Sequence, residues 1–213
     1  MRHPVHVLAV LLAALTLGTG PVAAEEIRLF RDFSFGMSRQ QLLAMDGVYD
    51  CSDMLGEGAL CLDRVDFLDH PWDMDFEFAA NALVSLSLRA PYSQRLYTRA
   101  FAELDERFEL VALQSTDEPL DLVALWRSAG DTAEASRRMT EYETKGMASS
   151  SLAYVFLERS AVQEVMHRAS SAADLLRLAR REVREVGLVL YRDEAGQDWI
   201  VLSFDLPRLH AAF

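Results

Sequence analysis

The chain has 213 residues, 33 of them acidic and 21 basic, for a net charge of −12. A hydrophobic share of 51% beside a charged share of 25% is ordinary for a chain that buries a core, and it excludes wholesale disorder. A negative field repels nucleic acid and anionic lipid headgroups, so neither is expected as a partner.

The first segment, "MRHPVHVLAVLLAALTLGTGPVAAEE", has the layout of an export signal. Arg2 and His3 form a short basic head, residues 7–18 are apolar, Gly18, Gly20 and Pro21 break the helix, and small residues lead to a cleavage point expected after Ala24. The apolar run is too short for the roughly 20 residues that span a bilayer. A lipid-anchored precursor would carry a cysteine at the cleavage point, whereas the first cysteine here is Cys51. Residues 1–24 are therefore read as a signal peptide, and the rest as a soluble periplasmic or secreted protein without a stable membrane anchor.

The next signal is "FSFGMSRQQLLAM". Ser38 is placed to cap a helix, and Gln41, three residues on, completes a capping box. A helix over 39–46 would bury Leu42, Leu43 and Met45. "GVYDCSDMLGEGALCLD" follows and holds the two cysteines, Cys51 and Cys61. In an exported protein their default state is a disulfide, and Gly56 and Gly58 allow the chain between them to fold back. A thioredoxin-like redox pair requires C-x-x-C, and a structural zinc site requires four Cys or His ligands; the spacing fits neither. The same stretch is acidic. Asp50, Asp53, Glu57 and Asp63 are the candidate calcium ligands, but the ligand order of an EF-hand is missing.

Period-two alternation then takes over. In "WDMDFEF", Trp72, Met74, Phe76 and Phe78 point one way, while Asp73, Asp75 and Glu77 point to solvent. In "LVSLSLR", Val84, Leu86 and Leu88 face in and Ser85, Ser87 and Arg89 face out. These are half-buried antiparallel strands, joined through Asn81 as the turn residue. "RVDFL" gives a third strand, with Pro71 assigned to the connection because proline breaks a ladder. "YSQRLYTRAFAELDERF" carries Tyr97, Phe101, Leu104 and Phe108 at helical spacing. "LDLVALWRSAG" reads as a strand ending at Gly130. "SRRMTEYETKG" reads as a strand, with a polar helix as the alternative for residues 131–148. "SSSLAYVFLER" reads as a central strand.

The C-terminal part opens with capping signals at Ser160 and Ser171. A helix burying Leu175, Leu176, Ala179, Val183 and Val186 is expected to run to Gly187. "LVLYRD" and "DWIVLSFDLP" form a hairpin that turns at Gly196, and Pro207 ends the last strand. Arg177, Arg180, Arg181 and Arg184 fall on the expected helix and mark a candidate partner surface in an acidic protein. Ion pairs such as Arg181 with Glu185 are the plainer account of that charge. The fold class expected is α+β: two helix-plus-antiparallel-three-strand units in tandem, over 25–90 and 91–159, followed by a helical segment and β-hairpin over 160–213.

"FSFGMSRQQL" followed by "FEFAANALVSLSL" resembles the small α/β units of the BamE/SmpA outer-membrane-assembly family and of β-lactamase-inhibitory-protein-like repeats. The resemblance lies in Gly36, Met37 and Ser38, then in Phe76, Phe78, Asn81, Leu83, Val84 and Leu86. It implies an envelope protein that acts by protein–protein contact and needs no cofactor.

No catalytic signature is present: no nucleophile elbow, no H-E-x-x-H and no phosphate-cradling glycine loop. Asp69 beside His70 is the nearest approach to a dyad, and His167 reads as a boundary residue. The expected function is therefore non-enzymatic binding of another envelope protein or a peptide, without a cofactor. The alternatives are a small-ligand or calcium binder using the acidic disulfide loop, and a hydrolase with an unrecognised carboxylate pair.

Overall fold

The computed structural model describes residues 26–116, 118–149 and 151–211. The expected export segment, residues 1–24, lies outside them. The fold is α+β, built on a large antiparallel sheet.

The described chain begins with a small hairpin, β1 (Arg28–Phe30) and β2 (Phe33–Ser34). Helix α1 (Arg39–Leu43) follows. Ser38 caps it by accepting the Gln41 N–H, and the Gln41 side chain accepts the Ser38 N–H in return. The helix is shorter than the expected 39–46, and Leu43 is exposed while Leu42 is buried. Ser38→Ala is expected to lower stability by about 1 kcal/mol in urea unfolding, the usual cost of a lost cap; an unchanged midpoint would mean the box carries no weight. Gly36 donates to the Leu83 carbonyl and the Leu83 N–H donates to the Met37 carbonyl, both at 2.8 Å. These bonds fasten the turn before α1 to the start of a distant strand.

Strand β3 (Val48–Asp50), helix α2 (Ser52–Leu55), and strands β4 (Leu60–Phe67), β5 (His70–Ala79) and β6 (Ala82–Pro91) complete the first segment. The alternation read from "WDMDFEF" and "LVSLSLR" holds for Trp72, Met74, Phe76, Leu86 and Leu88, buried on one face. It breaks at a register shift that sets half-buried Phe78 opposite Leu83, so Leu83 and not Val84 joins that core. Both hairpins close with two residues at positive φ, Leu68 and Asp69 (57° and 49°), and Ala80 and Asn81 (47° and 67°). Two consecutive positive φ values make type I′ turns, whose twist matches that of the strands. Pro71 is therefore not in the connection but within β5, opposite Asp66. The pair flanking a two-residue turn, Phe67 and His70, takes the hydrogen bonds. The next pair is non-hydrogen-bonded, so a residue without an N–H fits there. A bulge at Asp63 and Arg64, with Arg64 at φ 57°, restores Val65 to the buried face.

The second segment departs further from expectation. Helix α3 (Gln94–Arg107) forms where predicted but stops before Phe108, which is extended and opens strand β7 (Phe108–Gln114); a two-residue strand β8 (Leu120–Asp121) follows. Residues 122–148 then form helices α4 (Leu122–Ser128) and α5 (Thr132–Ala148), not strands. Each has an aspartate cap: Asp121 accepts the Ala124 N–H, and Asp131 accepts the Glu134 N–H. Helix α5 buries a stripe at Ala135, Met139, Tyr142 and Gly146. A Cβ at Gly146 would come within 2.6 Å of Leu152 Cδ1, so glycine is what lets the helix lie on the next strand. That strand is β9 (Ser151–Glu158).

Helices α6 (Arg159–Val162) and α7 (Ala172–Leu178) lead to strands β10 (Glu185–Arg192) and β11 (Asp198–Asp205), and α8 (Pro207–His210) ends the described chain. The expected helix over Leu175–Val186 stops at Leu178, because Ala179 is extended. Arg208 donates to the Arg177 and Ala179 carbonyls and so satisfies the helix end. Val183 and Val186 are buried as expected, but from the loop and from β10.

Nine strands form one sheet in the order β3-β4-β5-β6-β11-β10-β9-β7-β8, antiparallel throughout. The two expected units are thus halves of a single sheet. The last strand, β11, joins them by pairing Trp199–Asp205 with β6 and its hairpin partner β10 with β9.

The two faces of this sheet differ. One is fully covered. Phe33 meets Phe76, Phe30 meets Phe204, and Leu42 of α1 joins the same core; α3 and α5 close the other half through Leu96, Ala100, Leu104 and Ala135, with Phe101 edge-on to Tyr154 and Phe156. Among the described residues the opposite face is covered only at the β7–β9 end. There Val111, Val155 and Leu157 pack under α6, α7 and Val183.

Candidate functional site

The uncovered face is defined by the register. The pairing aligns Asp75, Ser87, Ser203 and Gly187 in one row across β5, β6, β11 and β10. The row beside it is Glu77, Ser85, Asp205 and Glu185; on the other side lie Asp73, Arg89, Val201 and Val189. The middle of this face is floored by small side chains. A Cβ at Gly187 would sit 2.6 Å from Ser203 Oγ, which shows how closely the floor is drawn together. The α6–α7 segment rises at one end. At the other stands the disulfide loop, where Cys51 and Cys61 are joined, Cys51 fully buried and Cys61 nearly so. That loop presents α2, with Met54 62% and Leu55 51% exposed. Both line a cleft of about 370 Å³ with Tyr49, Asp73, Asp75 and Arg89.

The electrostatics of the face are one-sided. Among the described residues Asp63, Asp73, Asp75, Glu77, Glu185 and Asp205 lie on it, against Arg89 on the floor and Arg64 at the lip of the cleft. Asp63 accepts the Tyr49 hydroxyl at 2.8 Å, Glu77 accepts the Ser85 hydroxyl at 2.6 Å, and Asp205 sits 3.1 Å from His210 Nδ1. Asp75 and Glu185 have no hydrogen-bond or ion-pair partner among the described residues, and both are partly buried. Glu185 lies directly across from Asp205, a like-charge cross-strand pair that costs stability. The guanidinium of Arg89 stacks over Trp199 at 4.9 Å from the ring centroid, and its Nε is shielded from solvent with no acceptor among the described residues.

Burial pushes the Asp75 carboxyl above the usual carboxylate range, although the Arg89 charge works against it. Burial also pushes Glu185 up, and the charge on Asp205 adds to the effect. A carboxyl raised in the folded state favours folding in acid. That contribution is complete below the unfolded value and is lost as pH rises through the folded value. Replacing both, Asp75→Asn with Glu185→Gln, is therefore expected to raise the melting temperature at about pH 7.5, with the gain shrinking toward zero below about pH 4. A gain that grows on acidification would contradict these assignments.

The residues singled out from sequence are dispersed. Asp50 is held down to about 2, chiefly by the Ser52 side-chain and backbone hydrogen bonds and then by Arg39, whose Nη2 lies 2.6 Å from Asp50 Oδ2. Asp53 and Glu57 are exposed, and Asp63 belongs to the sheet face. Among the described residues no group of three or more His, Cys, Asp or Glu side chains is arranged to hold a metal ion. Asp69 pairs with Arg99 at 2.7 Å, and His70 packs edge-on to Trp72, so the two do not act on each other. His167 is exposed.

The four arginines do not share a helix. Arg177 is on α7 and pairs with Asp174; Arg180 and Arg181 lie in the turn after it, and Arg184 precedes β10. Arg180 and Arg184 both face Glu158, at 3.2 and 3.7 Å, in a groove of about 870 Å³ shared with Glu26, Arg28 and Glu182. Arg181 is exposed, and the pair with Glu185 does not form because Glu185 is in β10.

Sequence reasoning placed Asp73, Asp75, Glu77, Ser85, Ser87 and Arg89 correctly on outward faces. What sequence does not show is their union with Ser203, Asp205 and Glu185, because the pairing of β6 with β11 carries no local signal.

No protein-family model, curated protein or solved structure matches the chain. The fold and site define a class only: an α+β protein on a large antiparallel sheet, with one face partly open. Among the described residues no helix is long and apolar enough to cross a membrane.

Proposed function

We propose that this chain is an exported, non-enzymatic binding module of the cell envelope, and that the uncovered sheet face is where another protein docks. The carrying observation is the face itself: a floor of small side chains between two walls, an exposed Met54–Leu55 edge, and an arginine with a shielded, acceptor-free Nε. Exposed apolar groups beside unsatisfied polar ones are what a docking partner completes. The disulfide agrees with an extracytoplasmic setting. The hydrolase alternative is the less favoured reading. Glu185 and Asp205 face each other across β10 and β11, yet neither lines the clefts described above; the aspartates that do, Asp63, Asp73 and Asp75, share theirs with Arg64 and Arg89. The test is capture from an envelope extract by the wild-type protein and by Ser203→Trp, which fills the floor. A partner retained by wild type and lost from the variant supports the reading. No protein above background, or a partner indifferent to Ser203→Trp, overturns it.

A further inference from the structure

The uncovered face also constrains what its occupant is made of, an inference that rests on this face being the docking surface. Among the described residues six carboxylates share it with two arginines, Arg64 at the lip of the cleft and Arg89 on the floor, and Arg89 is held over Trp199 rather than paired. The Asp75 and Glu185 side chains make no hydrogen bond or ion pair among the described residues, and each is partly withdrawn from water, so an incoming cation would meet two free carboxylates, with only the Arg89 charge already acting on Asp75. A second copy of this face is excluded as occupant by like-charge repulsion. Unpartnered acids cost the isolated protein stability, and such costs are retained where function needs them.

Spacing gives the proposal its shape. Asp75 on β5 and Glu185 on β10 are three strand steps apart and one row offset, so their backbone positions are separated by about 16 Å. An extended segment advances about 3.4 Å per residue, and alternate side chains face the same way. Side chains four residues apart therefore lie on one face, about 14 Å apart, and lysine or arginine stems cover the remainder.

We propose that the occupant is an extended basic segment of another protein, laid across β5, β6, β11 and β10, with two lysine or arginine side chains four residues apart reaching Asp75 and Glu185. The small floor admits its backbone, and the Met54–Leu55 edge receives an apolar residue at its end.

Three protein forms and three labelled peptides test this by fluorescence anisotropy. The forms are wild type, Asp75→Asn with Glu185→Gln, and Glu134→Gln with Glu141→Gln on the exposed side of α5, which has the same net charge as the first pair. The peptides are a leucine-ended serine–valine heptamer with lysines four apart, its isomer with adjacent lysines, and its glutamate analogue. Wild type and the α5 pair are expected to bind the spaced-lysine peptide about tenfold more tightly than the Asp75 and Glu185 pair does, and to prefer it to both other peptides. An equal loss in both paired variants would reduce the effect to net charge and overturn the proposal, as would equal binding of the three peptides. A natural partner lost with Ser203→Trp but unmoved by Asp75→Asn with Glu185→Gln would leave the docking face standing and remove the basic segment alone.

Discussion

Trp72→Ala is expected to destabilise the protein by about 4 kcal/mol, within the range of about 3–5 kcal/mol found when a buried aromatic is truncated to alanine. Trp72 is fully buried on β5, opposite Val65, and packs against Phe67 at 6.3 Å. Its indole N–H donates to the Phe67 carbonyl at 2.8 Å, so the ring also ties the far end of the β4–β5 hairpin. Alanine would leave a cavity and remove the indole's bond to that carbonyl. Trp72→Phe separates the two, restoring most of the volume but not the donor, and is expected to cost about 1–2 kcal/mol. Urea unfolding followed by far-ultraviolet circular dichroism measures both. An alanine variant within 1 kcal/mol of wild type would contradict the packing described. With native stabilities of about 5–15 kcal/mol, the alanine variant stands near the edge of folding.

The second large effect is removal of the disulfide. Cys51 and Cys61 are ten positions apart, and closing so short a loop stabilises by about 2.5–3 kcal/mol on the loop-entropy model. Cys51→Ser with Cys61→Ser, or reduction of the wild type, is expected to lower the melting temperature by roughly 5–10 °C for a chain of this size. Binding is expected to weaken as well, because the same bond holds α2, with Met54 and Leu55, against the edge of the open face. Unchanged melting on full reduction would mean the loop is fixed by other contacts. The Arg39–Asp50 pair is the nearest candidate, although an exposed ion pair contributes little.

The parts of the fold legible in sequence were those with strict local periodicity. Strands β5, β6, β10 and β11 alternate cleanly, and the Ser38–Gln41 box and the Gly196 turn announce themselves within four residues. Helices α4 and α5 are hidden in the sequence for physical reasons. The buried stripe of α5 includes Ala135 and Gly146, whose burial adds little hydrophobic signal, and the Asp131–Glu134 cap that marks its start lies outside the alternating run "SRRMTEYETKG". In α4 the leucines and Val123 lie close enough together to pass for a strand. The arginine cluster was placed on a helix because nothing local reveals that Arg208, 31 residues after Arg177, takes over the helix end.

The open face was half legible. The outward residues of β5 and β6 were read as outward, and their charge as mere solvation. What was missing is non-local: β11, last in the chain, lands between β6 and β10 and turns two polar strand faces into one surface. Strand order of this kind depends on which halves meet during folding rather than on any short stretch of residues.

The most direct test of the docking face is site-specific photo-crosslinking in cells. A benzophenone side chain at Ser87 or Val201 on the open face is expected to yield a discrete covalent adduct with the partner, while the same group at Arg138, on the exposed side of α5, yields none. Adducts from Arg138 with none from Ser87 or Val201 would place the partner elsewhere and contradict the account.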